Sequence, residues 1–296
     1  MSGHWLDLVD PSREELLAAL DVDVAPEIIE ALLADPVERP RPRLEGRGDY
    51  VFGLFVALAP VPEEDRIESR EIGFIATSDG LVTVRKTPPD GEAWQAECLE
   101  VARDVTVGEL VFRLTDDVAN SFLEVVDFAD AEIDELEDHI ESWPSARVRR
   151  RISSLRHDLI HARRTVGAMR AKVRRITDKR LDLVDESLFP EDVERLFSDA
   201  YETLFRAGEE LDVARDLLAS SRDYHQSLIA ENQNEIVKKL TVIASVLLLP
   251  TLIVGFYGQN FMGAFDDFYW TIGVSVGLIV GSTLAQLALF RWRRWI

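Results

Sequence analysis

Two apolar segments in the last fifth of the chain, about Leu240 to Tyr257 and Phe268 to Phe290, restrict its folding more than any other feature. Between them runs a loop that begins Gly258-Gln259-Asn260-Phe261-Met262-Gly263. At 1.5 Å per helical residue each segment reaches across a hydrocarbon core of about 30 Å, and no earlier segment does. A multi-pass C-terminal helical hairpin in the membrane is expected. Lys238 and Lys239 precede the first span and Arg291, Arg293 and Arg294 follow the second, whereas the loop has no Lys or Arg and carries Asp266 and Asp267. The positive-inside rule then puts both termini in the cytoplasm. Tyr269 and Trp270 at one boundary, with Trp292 and Trp295 at the other, suit aromatic residues at headgroup level.

The first residues, Met1-Ser2-Gly3-His4-Trp5-Leu6-Asp7, lack a basic region and an apolar region, so no cleaved signal is expected and the part ahead of the hairpin should be cytoplasmic. The run Val51 to Val61 is too short to span and reads as a buried strand. A single cysteine, Cys98, excludes an intrachain disulfide and offers no Cys-based metal site. The net charge of −21 argues against a nucleic-acid partner. It suits a protein that handles cations, and equally one that uses acidity to stay soluble. An enzyme is disfavoured: there is no Gly-rich phosphate loop and no nucleophile paired with a base. His157 and His161 stand four apart, but among so many arginines they read as a solvated helical face rather than a metal pair.

Charge is segregated along the chain. Between Asp116 and Glu141 there are eleven Asp or Glu and no Lys or Arg, and between Arg147 and Arg180 thirteen Lys or Arg with only Asp158 and Asp178. Both stretches keep apolar residues at helical spacing, from Phe122 to Ile140 and from Ile152 to Ile176, and Trp143-Pro144-Ser145 separates them. An antiparallel pair of one acidic and one basic helix is expected. Its charges serve either pairing and solubility or a cation-binding face. Phe189-Pro190-Glu191-Asp192 opens a further helix that continues to Tyr257, about 65 residues and on the order of 100 Å. Its stripe Val193, Leu196, Ala200, Leu204, Ala207, Leu211, Ala214, Leu218 needs a bundle or oligomer to cover it. The first 110 residues predict short helices at Ser12 and over Pro26 to Ala34, a loop over Pro36 to Pro42, and strands at Asp49 to Leu58, Glu71 to Thr77 and Gly80 to Arg85. The expected fold class is α+β. Its parts are an α/β domain over 1–110, the helical hairpin over 111–188, the long stalk helix over 189–257, the loop over 258–267, the second span over 268–290 and a basic tail over 291–296.

Several of these residues carry a resemblance. Asn234-Glu235-Ile236-Val237-Lys238-Lys239-Leu240-Thr241, Pro250, Gly255-Phe256-Tyr257-Gly258-Gln259-Asn260-Phe261 and the tail Arg291-Trp292-Arg293-Arg294-Trp295-Ile296 resemble the CorA family of divalent-cation transporters. That family has a Tyr-Gly-Met-Asn-Phe signature at the same place and the same order of domains, so the similarity covers essentially the whole chain. It implies a homopentamer in the cell (inner) membrane, in contact with lipid, with the first span lining a central pore. It also implies a selectivity filter at Gly258, Gln259 and Asn260, where acceptor rings hold hydrated Mg²⁺. Positions matching the family's pore lining are Asn234, Val237, Leu240, Ala244, Leu248, Thr251 and Gly255, with Leu240 and Leu248 as apolar constrictions. Their rivals, Thr241 and Ser245, are assigned to helix contacts. Gly273, Gly277 and Gly281 are expected to pack the second span against the first.

No cofactor is implied: Mg²⁺ is the substrate, with Co²⁺ or Ni²⁺ as passengers, and also a regulatory ligand bridging neighbouring subunits. Counting along the stalk, Asp199 falls on the family's acidic position. The partner position falls at Glu30-Ala31, where the family's Asp is absent and Glu30 remains. Gln259 replaces the family's usual Met, and the zinc-associated ZntB branch also differs there. Proton-coupled Zn²⁺ transport is therefore the alternative, with a non-transporting membrane scaffold behind it. The loop from Gly258 to Asp267 has neither His nor Cys, which favours Mg²⁺.

Overall fold

The computed structural model describes residues 4–35, 40–61, 65–88, 93–95, 105–183, 188–258 and 268–295. The chain divides into two compact units, Met1–Arg222 and Asp223–Ile296.

The first unit carries the strands β1 (His4–Val9), β2 (Arg43–Gly46), β3 (Val51–Val61), β4 (Arg66–Ala76) and β5 (Gly80–Arg85), and the helices α1 (Arg13–Ala19), α2 (Pro26–Leu33), α3 (Val107–His139) and α4 (Ser145–Thr177). It also holds the first part of α5 (Glu191–Gly258). The strands form one sheet in the order β1-β5-β4-β3-β2, antiparallel except for the parallel β1–β5 pair. Val51 to Leu58 of β3 are buried at eight successive positions, the pattern of a strand covered on both faces. Leu32 of α2 lies against Gly73 of β4, where a Cβ would fall 2.2 Å from its Cδ2. Along β3 runs α3, and the Leu58 N–H donates to Ser121 Oγ at 3.2 Å. Gly53 has a packing reason as well. The Phe74 ring, on its register partner, crosses the space a Cβ would need.

The α1 start at Ser12 is a capping box, with Ser12 Oγ accepting from Glu15 N–H and the Glu15 carboxylate from Ser12 N–H. Thr106 and Glu109 build the same box at the start of α3, earlier than the acidic run suggests. β1 and β2, unanticipated from sequence, are the sheet's edges. Polar ladders hold β1 in place of an apolar run. Trp5 Nε1 donates to Thr83 Oγ1, Thr83 Oγ1 donates to Asp7, and Asp7 takes a two-pronged ion pair from Arg85 at 2.5 Å.

The expected apolar stripes form the interior of a three-helix bundle of α3, α4 and the start of α5. Phe122, Leu136, Leu155, Met169, Ala200 and Leu211 are each at most 1% exposed. In the stalk stripe Leu196 is only half-buried, and Phe197 takes the interior position. Arg151 pairs with Glu132 between α3 and α4, and Arg163 pairs with Asp212 of α5 at 2.9 Å. Most α3 carboxylates point to solvent, so apolar burial rather than charge matching carries the association.

Phe122→Ala is expected to destabilise the full-length protein by about 3–5 kcal/mol, because the site is fully enclosed. Leu6→Ala, on an exposed edge, should cost no more than about 0.5 kcal/mol. Thermal unfolding in detergent that shifts both midpoints equally would contradict this picture.

Candidate functional site

The second unit holds the rest of α5, from Asp223 to Gly258, and α6 (Phe268–Trp292). Both helices are long and apolar enough to cross a membrane, and their apolar windows are almost wholly uncovered by the rest of the chain. From Leu240 to Gly258 the less exposed positions of α5 are Val242, Ser245, Val246, Leu249, Pro250, Ile253 and Tyr257, which recur at helical spacing along one face. Gln286 of α6 donates from Nε2 to the Ser245 carbonyl at 3.2 Å, so this face is turned to α6. Gln286 stands outside the apolar pattern of its span, and an amide at such a position is itself a signal.

Asn234, Val237, Leu240, Ala244, Leu248, Thr251, Gly255 and Gly258 lie on the opposite face, about half a turn away. All are exposed, Leu240 at 64% and Leu248 at 73%. Thr241 and Thr251 turn their hydroxyls back onto the carbonyls of Val237 and Leu247. Ser245 thus sits at the α6 contact, whereas Thr241 is exposed. Gly258 is the last residue of α5, while Gln259 and Asn260 lie outside the described residues.

The expectation for Gly273, Gly277 and Gly281 needs correcting. A Cβ at any of the three would meet nothing within 4 Å, so these glycines do not pack α6 against α5 within one chain. The inner face of α6 is instead the one holding Ser275, Ile279, Ser282 and Gln286.

Asp199 is exposed on α5, and a charged neighbour on α3 is Asp116. Burial first, then the Asp117 and Asp199 carboxylates, push Asp116 above the ordinary aspartate range, against a hydrogen bond from Asn120. Asp130 is raised likewise by burial, then Asp134, Asp127 and Glu210 of α5. So α3 meets α5 with like charges at two levels. Glu30 is exposed on α2. Among the described residues no group of three or more His, Cys, Asp or Glu is placed to hold a metal ion. His161 is tied to the sheet rather than to His157, its Nε2 lying 2.8 Å from Ser69 Oγ.

The family model described as CorA-like Mg²⁺ transporter protein matches residues 2–293. The chain belongs to the CorA family. The cobalt/magnesium transport protein CorA of Methanocaldococcus jannaschii is 25% identical over 302 residues, spanning 99% of this chain and 91% of that protein. The CorA of Thermotoga maritima is 23% identical over 262 residues, 86% of this chain and 73% of that protein. Among solved structures, the complete CorA magnesium transporter of M. jannaschii matches with a TM-score of 0.80 at 20% identity, over 99% of this chain and 91% of that one. The ZntB cytoplasmic domain of Vibrio parahaemolyticus matches at 0.58 and 14% identity, over 78% of this chain and 90% of that one. These likenesses establish the α+β fold with its long helix and two candidate spans.

Raised carboxyl pKa values mean that the folded chain binds more protons than the unfolded chain just above the ordinary aspartate range. Its stability therefore falls as pH rises through that window. Asp116→Asn and Asp130→Asn are each expected to raise the unfolding midpoint near pH 7, and the gain should fade on acidification to about pH 4. A gain independent of pH would assign the effect to packing.

Proposed function

We propose that this protein carries Mg²⁺ into the cell through a homopentameric pore, with Co²⁺ or Ni²⁺ as passengers. Family membership over residues 2–293 supports the reading, together with one observation on the helices: the face from Asn234 to Gly258 is turned away from α6 and left uncovered by its own chain. Five such faces would enclose a conduit. In it, Leu240 and Leu248 act as dewetting constrictions, and Asn234 forms a polar ring at the inner end. Mg²⁺ dehydrates reluctantly, so a filter of Gly258, Gln259 and Asn260 from five subunits holds its water shell rather than the bare ion. Both termini are cytoplasmic, in the inner membrane. Asp199, with Glu30 of a neighbouring subunit, provides the regulatory cation site. The like-charge seam between α3 and α5 supports a cation-sensitive cytoplasmic part, since divalent binding there relieves repulsion.

Gln259, where the family usually has Met, favours a second reading, proton-coupled Zn²⁺ transport. Uptake of Mg²⁺ and Zn²⁺ into proteoliposomes, with and without a proton gradient, separates the two. Asn260→Ala removes one acceptor per subunit, each worth about 1.5–3 kcal/mol to a charged ligand, and should lower Mg²⁺ flux at least about tenfold. Zn²⁺ flux driven by protons would move the protein to the second reading. Absence of flux from an intact oligomer would leave only the scaffold.

A further inference from the structure

A cleft of about 810 Å³ opens in the first unit between α4 and the segment Pro40–Pro42 that leads into β2. This volume is within the range of small-molecule sites, about 300–1,000 Å³. One wall is a single face of α4, where His157, His161, Arg164, Ala168 and Lys172 recur at steps of three and four. Arg41 faces it from the opposite wall. Two contacts tie α4 to the sheet beside the cleft, and a third lies within α4. His161 Nε2 pairs with Ser69 Oγ, Thr165 Oγ1 donates to the His161 carbonyl, and Arg175 donates to the Leu44 carbonyl, tying α4 to β2.

Charge sets this cleft apart from the rest of the molecule. Acidic residues outnumber basic ones 54 to 33 in the chain, yet among the described residues no Asp or Glu lines the cleft. Elsewhere on α4, Arg151, Arg163 and Arg174 pair with Glu132, Asp212 and Asp178. Arg41, Arg164 and Lys172 form no ion pair among the described residues. Arg164 and Lys172 are about 12 Å apart along the helix, at 1.5 Å per residue, with Ala168 between them. Cations so spaced, with Pro40, Pro42, Ile160 and Ala171 supplying apolar surface, match an extended anion that also has an apolar part.

We infer that this cleft binds a phosphate-bearing anion of nucleotide size, its phosphates meeting Arg41, Arg164 and Lys172. The cleft belongs to the first unit, and the inference stands whichever ion the membrane helices carry. Among the described residues no carboxylate lines the cleft to hold a chelated Mg²⁺, and the metal cancels two of the ligand's negative charges, so the metal-free anion binds more tightly.

Titration calorimetry of the full-length protein in detergent tests the inference, using ATP with EDTA, ATP with excess Mg²⁺, tripolyphosphate and adenosine. ATP is expected to bind at one site per chain, excess Mg²⁺ to weaken it, and adenosine not to bind. Tripolyphosphate equal to ATP would support recognition of the phosphate chain alone, and tighter ATP binding would add the base. Arg164→Glu with Lys172→Glu should weaken ATP at least about tenfold. Arg149→Glu with Arg156→Glu, exposed on α4 outside the cleft, should change it little. Equal losses in both pairs, or no ATP binding by the correctly folded native chain, would overturn the inference. So would dissociation of the oligomer by the first pair without any ATP binding, which would give the cleft to an acidic surface of a second copy.

Discussion

Hydrocarbon offers a peptide group no hydrogen-bond partner, and that constraint shapes the second unit throughout. Each span must satisfy its own backbone, so both are helices, and even the polar side chains obey the rule by turning inward. Thr241 and Thr251 bond to carbonyls on their own helix, and Gln286 reaches the Ser245 carbonyl. Pro250 is the exception that covalent structure imposes, since it has no N–H for the carbonyl four residues earlier.

The same helix, α5, solves two burial problems with two patterns. Up to Leu218 it carries a narrow stripe that α3 and α4 cover, with the opposite face charged. Beyond Leu240 it is apolar all round, and most of that surface is uncovered in one chain. The stripe of the first unit is paid for with like charges, because Asp116 and Asp130 are brought near Asp199 and Glu210. Burial of Phe122, Leu136 and Leu211 offsets that repulsion.

Periodic segments were legible from sequence because their burial is one-sided. The stripes of α3, α4 and α5 appear where helical spacing puts them, and the all-apolar β3 lies inside the sheet. The edge strands were not legible. β1 is held by Trp5, Thr83, Asp7 and Arg85, and no propensity of His4–Val9 alone reveals partners nearly eighty residues away. The glycines of α6 misled for a related reason: spacing identifies a smooth face without saying what meets it. Of the candidate pore, the positions from Asn234 to Gly258 come from the family resemblance, and their helical spacing puts them on one face; a lone amide such as Gln286 has no periodicity to reveal that it turns the other face inward. The basic cleft joins residues more than a hundred positions apart, Arg41 to Arg164, and so leaves no local pattern.

The Gln286 contact has a bearing on how such helices diverge. Its acceptor is a main-chain carbonyl, which every residue type provides, so the apolar side chains around it are free to exchange among Leu, Val, Ile and Ala. Longitudinal alignment is not free. A slip of one residue along α5 displaces the acceptor by about 1.5 Å and rotates it by about 100°, out of reach of the amide. One side chain thus acts as an indexing pin between two otherwise interchangeable greasy rods, and alignment can be inherited while nearly every neighbouring letter is rewritten.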